Sequence, residues 1–181
     1  MLKSELLLEA EIMEEINDKA IKMKLAELAE QQGLEPRNEW PIWKKECNTH
    51  SEIARVDHVW LYGLKVKVGD HEETWRLPVV AFEIIRVRDL RDLSQIKKDL
   101  ENLRLSGAAL GVIVVQAFSE DDLKQYMPEH LIKERPGILA TLAFPVRIGI
   151  AYAGDIMRGE LCIKWLSDIS SGYPSDRVYI E

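Results

Sequence analysis

Nine residues, LPVVAFEII at 77–85, constrain this chain more than any other segment. Apolar side chains fill positions of both parities except at Glu83. A strand that alternates polar and apolar has one wet face; a strand without alternation is covered on both. The run therefore predicts a central strand packed on two sides. Pro78 falls near its start, where a missing N–H is tolerated.

A second such run, LGVIVVQAF, occupies 110–118. Between the two, over 91–106, the apolar period changes to a helical one, with Leu93, Ile96, Leu100 and Leu103. Ser106-Gly107 ends that helix. Upstream, ARVDHVWLY at 54–62 is rich in β-branched and aromatic residues and predicts a strand; Gly69-Asp70 marks the turn after it. Residues 38–47, with Glu39, Trp40, Ile42 and Trp43, predict a short first strand. Residues 4–32 carry a helical period at Leu7, Leu8, Ile12, Ile16, Ala20, Met23, Leu25, Leu28 and Ala29, with Gly33 as the C-terminal cap. Ser119 and Asp122 open a further helix over 120–134, which Pro136-Gly137 closes. Strands follow around 145–153 and 161–165, joined by a turn at 154–159.

The order α-β-β-β-α-β-α-β-β predicts an α/β protein with a mixed central sheet and helices on its faces. A length of 181 residues suits one domain, 1–181. Within it, 1–33 form an acidic helix, 38–135 the core and 138–181 a C-terminal strand extension. That extension either lengthens the sheet or builds a homodimer contact.

Twenty-four basic and 31 acidic residues give a net charge of −7. This excludes a histone-like binder, which needs a basic surplus. Nine of the acidic residues and four of the basic ones lie in the first 35 positions. The surplus is thus mainly a property of the first helix, which is expected to face away from nucleic acid. Cys47 and Cys162 have no metal-finger spacing and are expected as reduced thiols in a cytoplasmic protein. The apolar runs are strand-sized, so no membrane span is expected.

Asp57 and Glu83 lie inside consecutive apolar strands, and Glu39 lies on the strand before them. A buried carboxylate is costly unless it is paired or coordinates a cation. Ion pairing, for instance of Asp57 with Arg55 or Arg86, is one solution. A shared divalent cation is the other: Mg2+ takes one or two carboxylates and keeps several waters. Such a cation activates water and stabilises phosphoryl charge. His58 should point to the opposite face of its strand from Asp57 and be buried. Trp40 and Trp43 are expected to cover core rather than stack on bases. No P-loop, dinucleotide fingerprint or Ser/His/Asp pattern is present.

The run RVDHVW at 55–60, then PVVAFEII at 78–85, KDLENL at 98–103 and GVIVV at 111–115, resembles the PD-(D/E)xK nuclease superfamily, the restriction-endonuclease-like proteins. The resemblance covers about residues 25–118. It implies a three-layer α/β/α core and a Mg2+- or Mn2+-dependent nuclease acting on DNA. Asp57 matches the family's metal-binding Asp, Glu83 the acidic residue of its acidic-x-Lys triplet, and Glu39 an upstream metal-site Glu. The lysine of the triplet is replaced by Ile85. Either the lysine has moved, to Lys65 or Lys67 on the second strand or to Lys97 or Lys98 on the following helix, or the site is inactive and the fold serves as a binding or assembly module. Arg86 and Arg88, expected on one strand face, and Lys97 are candidate phosphate contacts. The alternative for this basic stretch is a solvated helix with i,i+4 pairs.

Overall fold

The computed structural model describes residues 16–46, 49–119, 147–165 and 178–180. In chain order the elements are α1 (Asp18–Gln31), β1 (Glu35–Glu46), β2 (Thr49–Val68), β3 (His71–Arg86), a 3-10 turn (Val87–Arg91), α2 (Leu93–Leu105), β4 (Leu110–Gln116), β5 (Arg147–Tyr152), α3 (Ala153–Met157), β6 (Leu161–Trp165) and β7 (Val178–Ile180). The expected helix at 120–134 lies outside the described residues.

The first six strands form a mixed open sheet in sequence order, and β7 pairs with the far side of β6. β1, β2 and β3 are an antiparallel meander. β3, β4 and β5 run parallel, and β6 is antiparallel to β5. The parallel β3–β4 step needs a crossover, which α2 supplies.

The doubly apolar runs find the two-sided cover they require. Val80 and Phe82 pack with Val112 and Val114 beneath Ile21, Leu25, Leu28 and Ala29 of α1. Ala81 and Ile85 pack with Ile113 and Val115 beneath Ile96, Leu100 and Leu103 of α2. Both of these helices begin on a side-chain cap: Asn17 accepts from the Ala20 amide at 3.0 Å, and Asp92 accepts from Ser94 and Gln95. Gly33 takes a φ of 71° just after α1, the left-handed turn expected of it.

Four sequence expectations change. The buried stripe of α1 runs through Ile21 rather than through Ala20 and Met23, and Met23 is exposed. The second strand spans Thr49–Val68, well beyond 54–62, because β1 pairs along its first half and β3 along its second. Past Leu61 and Pro78, β2 and β3 continue, among the described residues, as a two-stranded ribbon with Tyr62, Leu64, Val68, Trp75 and Leu77 exposed. β3 stops at Arg86, so Arg88 sits in the 3-10 turn and shares no strand face with it. Finally, the expected turn at 154–159 begins with the short helix α3, where Gly154 donates its amide to Ala117 O at 3.1 Å. The C-terminal strands resolve one alternative: β5 and β6 extend the sheet.

Candidate active site

The site lies where β2 leaves β3. Their ladder runs from Val68↔His71 to His58↔Phe82 and stops, although β2 continues back to Thr49 and β3 on to Arg86. The next rung would have paired Asp57 with Glu83. Separating two strands strands their backbone groups, and an unpaired buried group costs about as much as a lost hydrogen bond. Side chains take over here. Asp57 Oδ2 accepts the Ile84 amide at 2.8 Å, and Asn102 Nδ2, from α2, donates to Arg55 O at 3.2 Å. The gap between the strands is thereby bridged by hydrogen bonds.

Asp57 and Glu83 face each other across this gap. Glu83 is 5% exposed. Asn102 Nδ2 donates to its Oε1 at 3.0 Å. Burial, followed by the Asp57 charge, pushes Glu83 up to about 9, and the Asn102 bond offsets only part of this. Glu83 therefore carries a proton at neutral pH. Asp99 is also buried, one helical turn before Asn102; burial and the Asp57 charge raise it to about 6, against a 2.7 Å bond from Gln95 Nε2.

A lysine from elsewhere in the chain reaches Asp57. Ile85 is buried in the core beneath α2. Lys22 of α1 places its ammonium 3.4 Å from Asp57 Oδ1 and ion-pairs with Glu39. Burial works against its charge, but the two carboxylates outweigh that and raise its pKa. α1 thus brings the Lys22 charge onto Asp57.

The other expected positions are dispersed. Lys65 pairs with Glu72 at 3.3 Å out on the β2–β3 ribbon, eight residues and about 26 Å of strand from Asp57. Lys67 lies further out, opposite Glu72. Lys97 and Lys98 are exposed on α2, where the Lys98 charge acts on Asp99. Arg86 is exposed at the end of β3, and Arg88 lies 3.6 Å from Asp89. Arg55 pairs with Glu52 rather than with Asp57. Glu39 reaches Lys22, so its described partner is a cation of the protein itself. Trp40 packs against the core, whereas Trp43 is exposed.

His58 is fully buried on the face opposite Asp57, as its strand position predicts. Its Nδ1 lies 2.6 Å from Asn38 Oδ1, which assigns the ring proton to Nδ1. Burial, then the Lys22 charge, lowers it to about 4, so the ring is neutral at pH 7.

Sequence reasoning missed Lys22, Asn102 and Asp99. Lys22 had one available signal: it follows Ile21 and precedes Leu25 by three, so it borders the apolar stripe rather than opposing it. Among the described residues no group of three or more His, Cys, Asp or Glu is clustered as a cation cage. The candidate donors are the Asp57 carboxylate and the Glu83 carboxyl, which would have to lose its proton to serve as one of the two protein ligands that Mg2+ or Mn2+ takes. No helix among the described residues is long and apolar enough to cross a membrane. Comparison with known proteins returns no matching family, no matching curated protein and no matching solved structure.

Proposed function

We propose that the chain is a Mg2+- or Mn2+-dependent phosphodiesterase of the restriction-endonuclease-like kind, acting on DNA. The observation that carries the reading is the Lys22 ammonium on Asp57, beside the buried Glu83 carboxyl. Two carboxylates and a cation on rigid elements are the parts that phosphodiester hydrolysis uses. Asp57 and Glu83 would hold the metal, which when bound supplies charge stabilisation and a water of lowered pKa. Lys22 offsets charge on the scissile phosphate and orients the attacking water, the role Ile85 cannot take. Asn102 fixes the Glu83 carboxyl, and Asp57 is fixed by the Ile84 amide. Arg86, Arg88 and Lys97 are candidate backbone contacts for DNA on the exposed side. The succession α1-β1-β2-β3-α2-β4, with a helix on each face, supports the resemblance in the sequence.

Incubation with supercoiled plasmid and Mg2+ or Mn2+ tests this. Wild type should nick; Asp57→Ala and Lys22→Met should lose about 100-fold or more, the scale of a positioned catalytic group. Equal nicking by all three proteins, or none by wild type on any DNA, rejects the reading. The second reading is an inactive binding or assembly module. It is favoured by Ile85 buried in the core and by the proton on Glu83. Absence of Mn2+ uptake in calorimetry would select it.

A further inference from the structure

We propose that Glu39 is a positioning residue that acts through Lys22. Among the described residues it is the one non-glycine with a left-handed backbone, at a φ of 51°. L-residues carrying a Cβ avoid this region, and such outliers persist where surrounding structure over-determines them. Here the surroundings are specific. The β1–β2 ladder pairs Asn38 with His58 and Trp40 with Val56 but omits the rung between, Glu39 opposite Asp57. At Glu39 the backbone of β1 leaves the extended region, and the side chain there is the carboxylate that meets Lys22. The same ammonium lies 3.4 Å from Asp57. Glu39 is half exposed, so core packing does not account for its conformation. Placement of the ammonium does. A lysine has four rotatable side-chain bonds and needs a second anchor to hold its charge at one oxygen. Asn38 on one side of Glu39 is committed to His58, and Trp40 on the other to the core, which fixes the turn from both ends.

The inference rests on the catalytic reading only for its effect on cleavage, so its test has two arms. In the first, the rate of Lys22 acetylation is measured by mass spectrometry against exposed Lys65 in the same molecule. In wild type Lys22 should react on the order of tenfold more slowly, being held by charge-assisted bonds. Glu39→Gln and Glu39→Gly should remove most of that protection, and Glu39→Gly should keep the fold, since glycine accepts this φ. An unchanged Lys22 rate in both variants overturns the proposal, whatever the protein does to DNA. In the second arm, plasmid cleavage is followed through the Glu39→Gln and Lys22→Met cycle. Glu39→Gln should slow wild type on the order of tenfold and change nothing once Lys22 is Met. Additive losses overturn the proposal. If wild type cleaves nothing, the catalytic reading falls and the acetylation rates alone decide the role of Glu39.

Discussion

Asp57 Oδ2 accepts the Ile84 amide proton at 2.8 Å, across the rung where β2 and β3 stop pairing. One carboxylate oxygen replaces a strand, and the other is left for Lys22. Asp57→Ala should therefore destabilise by about 1–3 kcal/mol, the cost of an orphaned buried donor. Asp57→Asn, which keeps an acceptor, should lose less. Both should abolish cleavage. Urea unfolding beside the plasmid assay separates the two effects; equal stability of Ala and Asn variants would reject the capping role.

Glu83 sets an alkaline limit to stability. Its folded pKa of about 9 lies above its ordinary value of 4.5, so the folded state binds the proton more tightly. Stability is then complete below pH 4.5 and declines as pH rises through about 9. The slope reaches at most about 1.4 kcal/mol per pH unit for one proton. Glu83→Gln should remove this slope and unfold at higher denaturant concentration than wild type at pH 8. Parallel curves for the two proteins would contradict the assignment.

His58 acts at the other end of the scale. Its folded pKa of about 4 lies below the ordinary 6.5, so the unfolded chain takes the proton first. Stability is present above 6.5 and is lost as pH falls through about 4. His58→Leu should flatten the acid limb, since exposed Asn38 can turn its oxygen to water. An acid limb unchanged in the variant would assign it to other groups.

Cation uptake should release a proton. A ligand must be deprotonated to bind metal, and Glu83 is protonated at neutral pH. Titrating Mn2+ at pH 7 in two buffers of different ionisation enthalpy should show about one proton leaving per ion. Affinity should strengthen as pH rises towards 9. Uptake without proton release would place the cation away from Glu83.

Gly154 tests the packing of α3 against the end of β4. A Cβ built there would lie 2.0 Å from the Phe118 carbonyl oxygen. Gly154→Ala should therefore cost about 1–3 kcal/mol, as overpacking against backbone does, readable as a lower Tm. An unaffected Tm would mean that this segment gives way freely.

Much of the fold was legible because burial writes itself into local pattern. The unalternated run at 77–85 demanded cover on both faces and has it; the 91–106 period gave α2, and Gly33 gave the end of α1. Alternation of side chains along a strand was enough to put His58 opposite Asp57. The length of β2 was harder to read, because its outer halves are half-exposed ribbons with a weaker signal.

By itself, then, the sequence determined most of the elements up to β4, the central strand and the two acidic residues embedded in apolar strands. Tertiary structure alone decided what surrounds those acids. Residues 22, 39, 57, 83 and 102 come from five different elements and meet only once the sheet is assembled. The lysine is the clearest case. Neighbourhood along the chain favours Lys65 or Lys98, yet helix packing brings Lys22 to Asp57. A strand's period tells which face a side chain takes; which helix lies over that face depends on non-local burial, and no local pattern carries it.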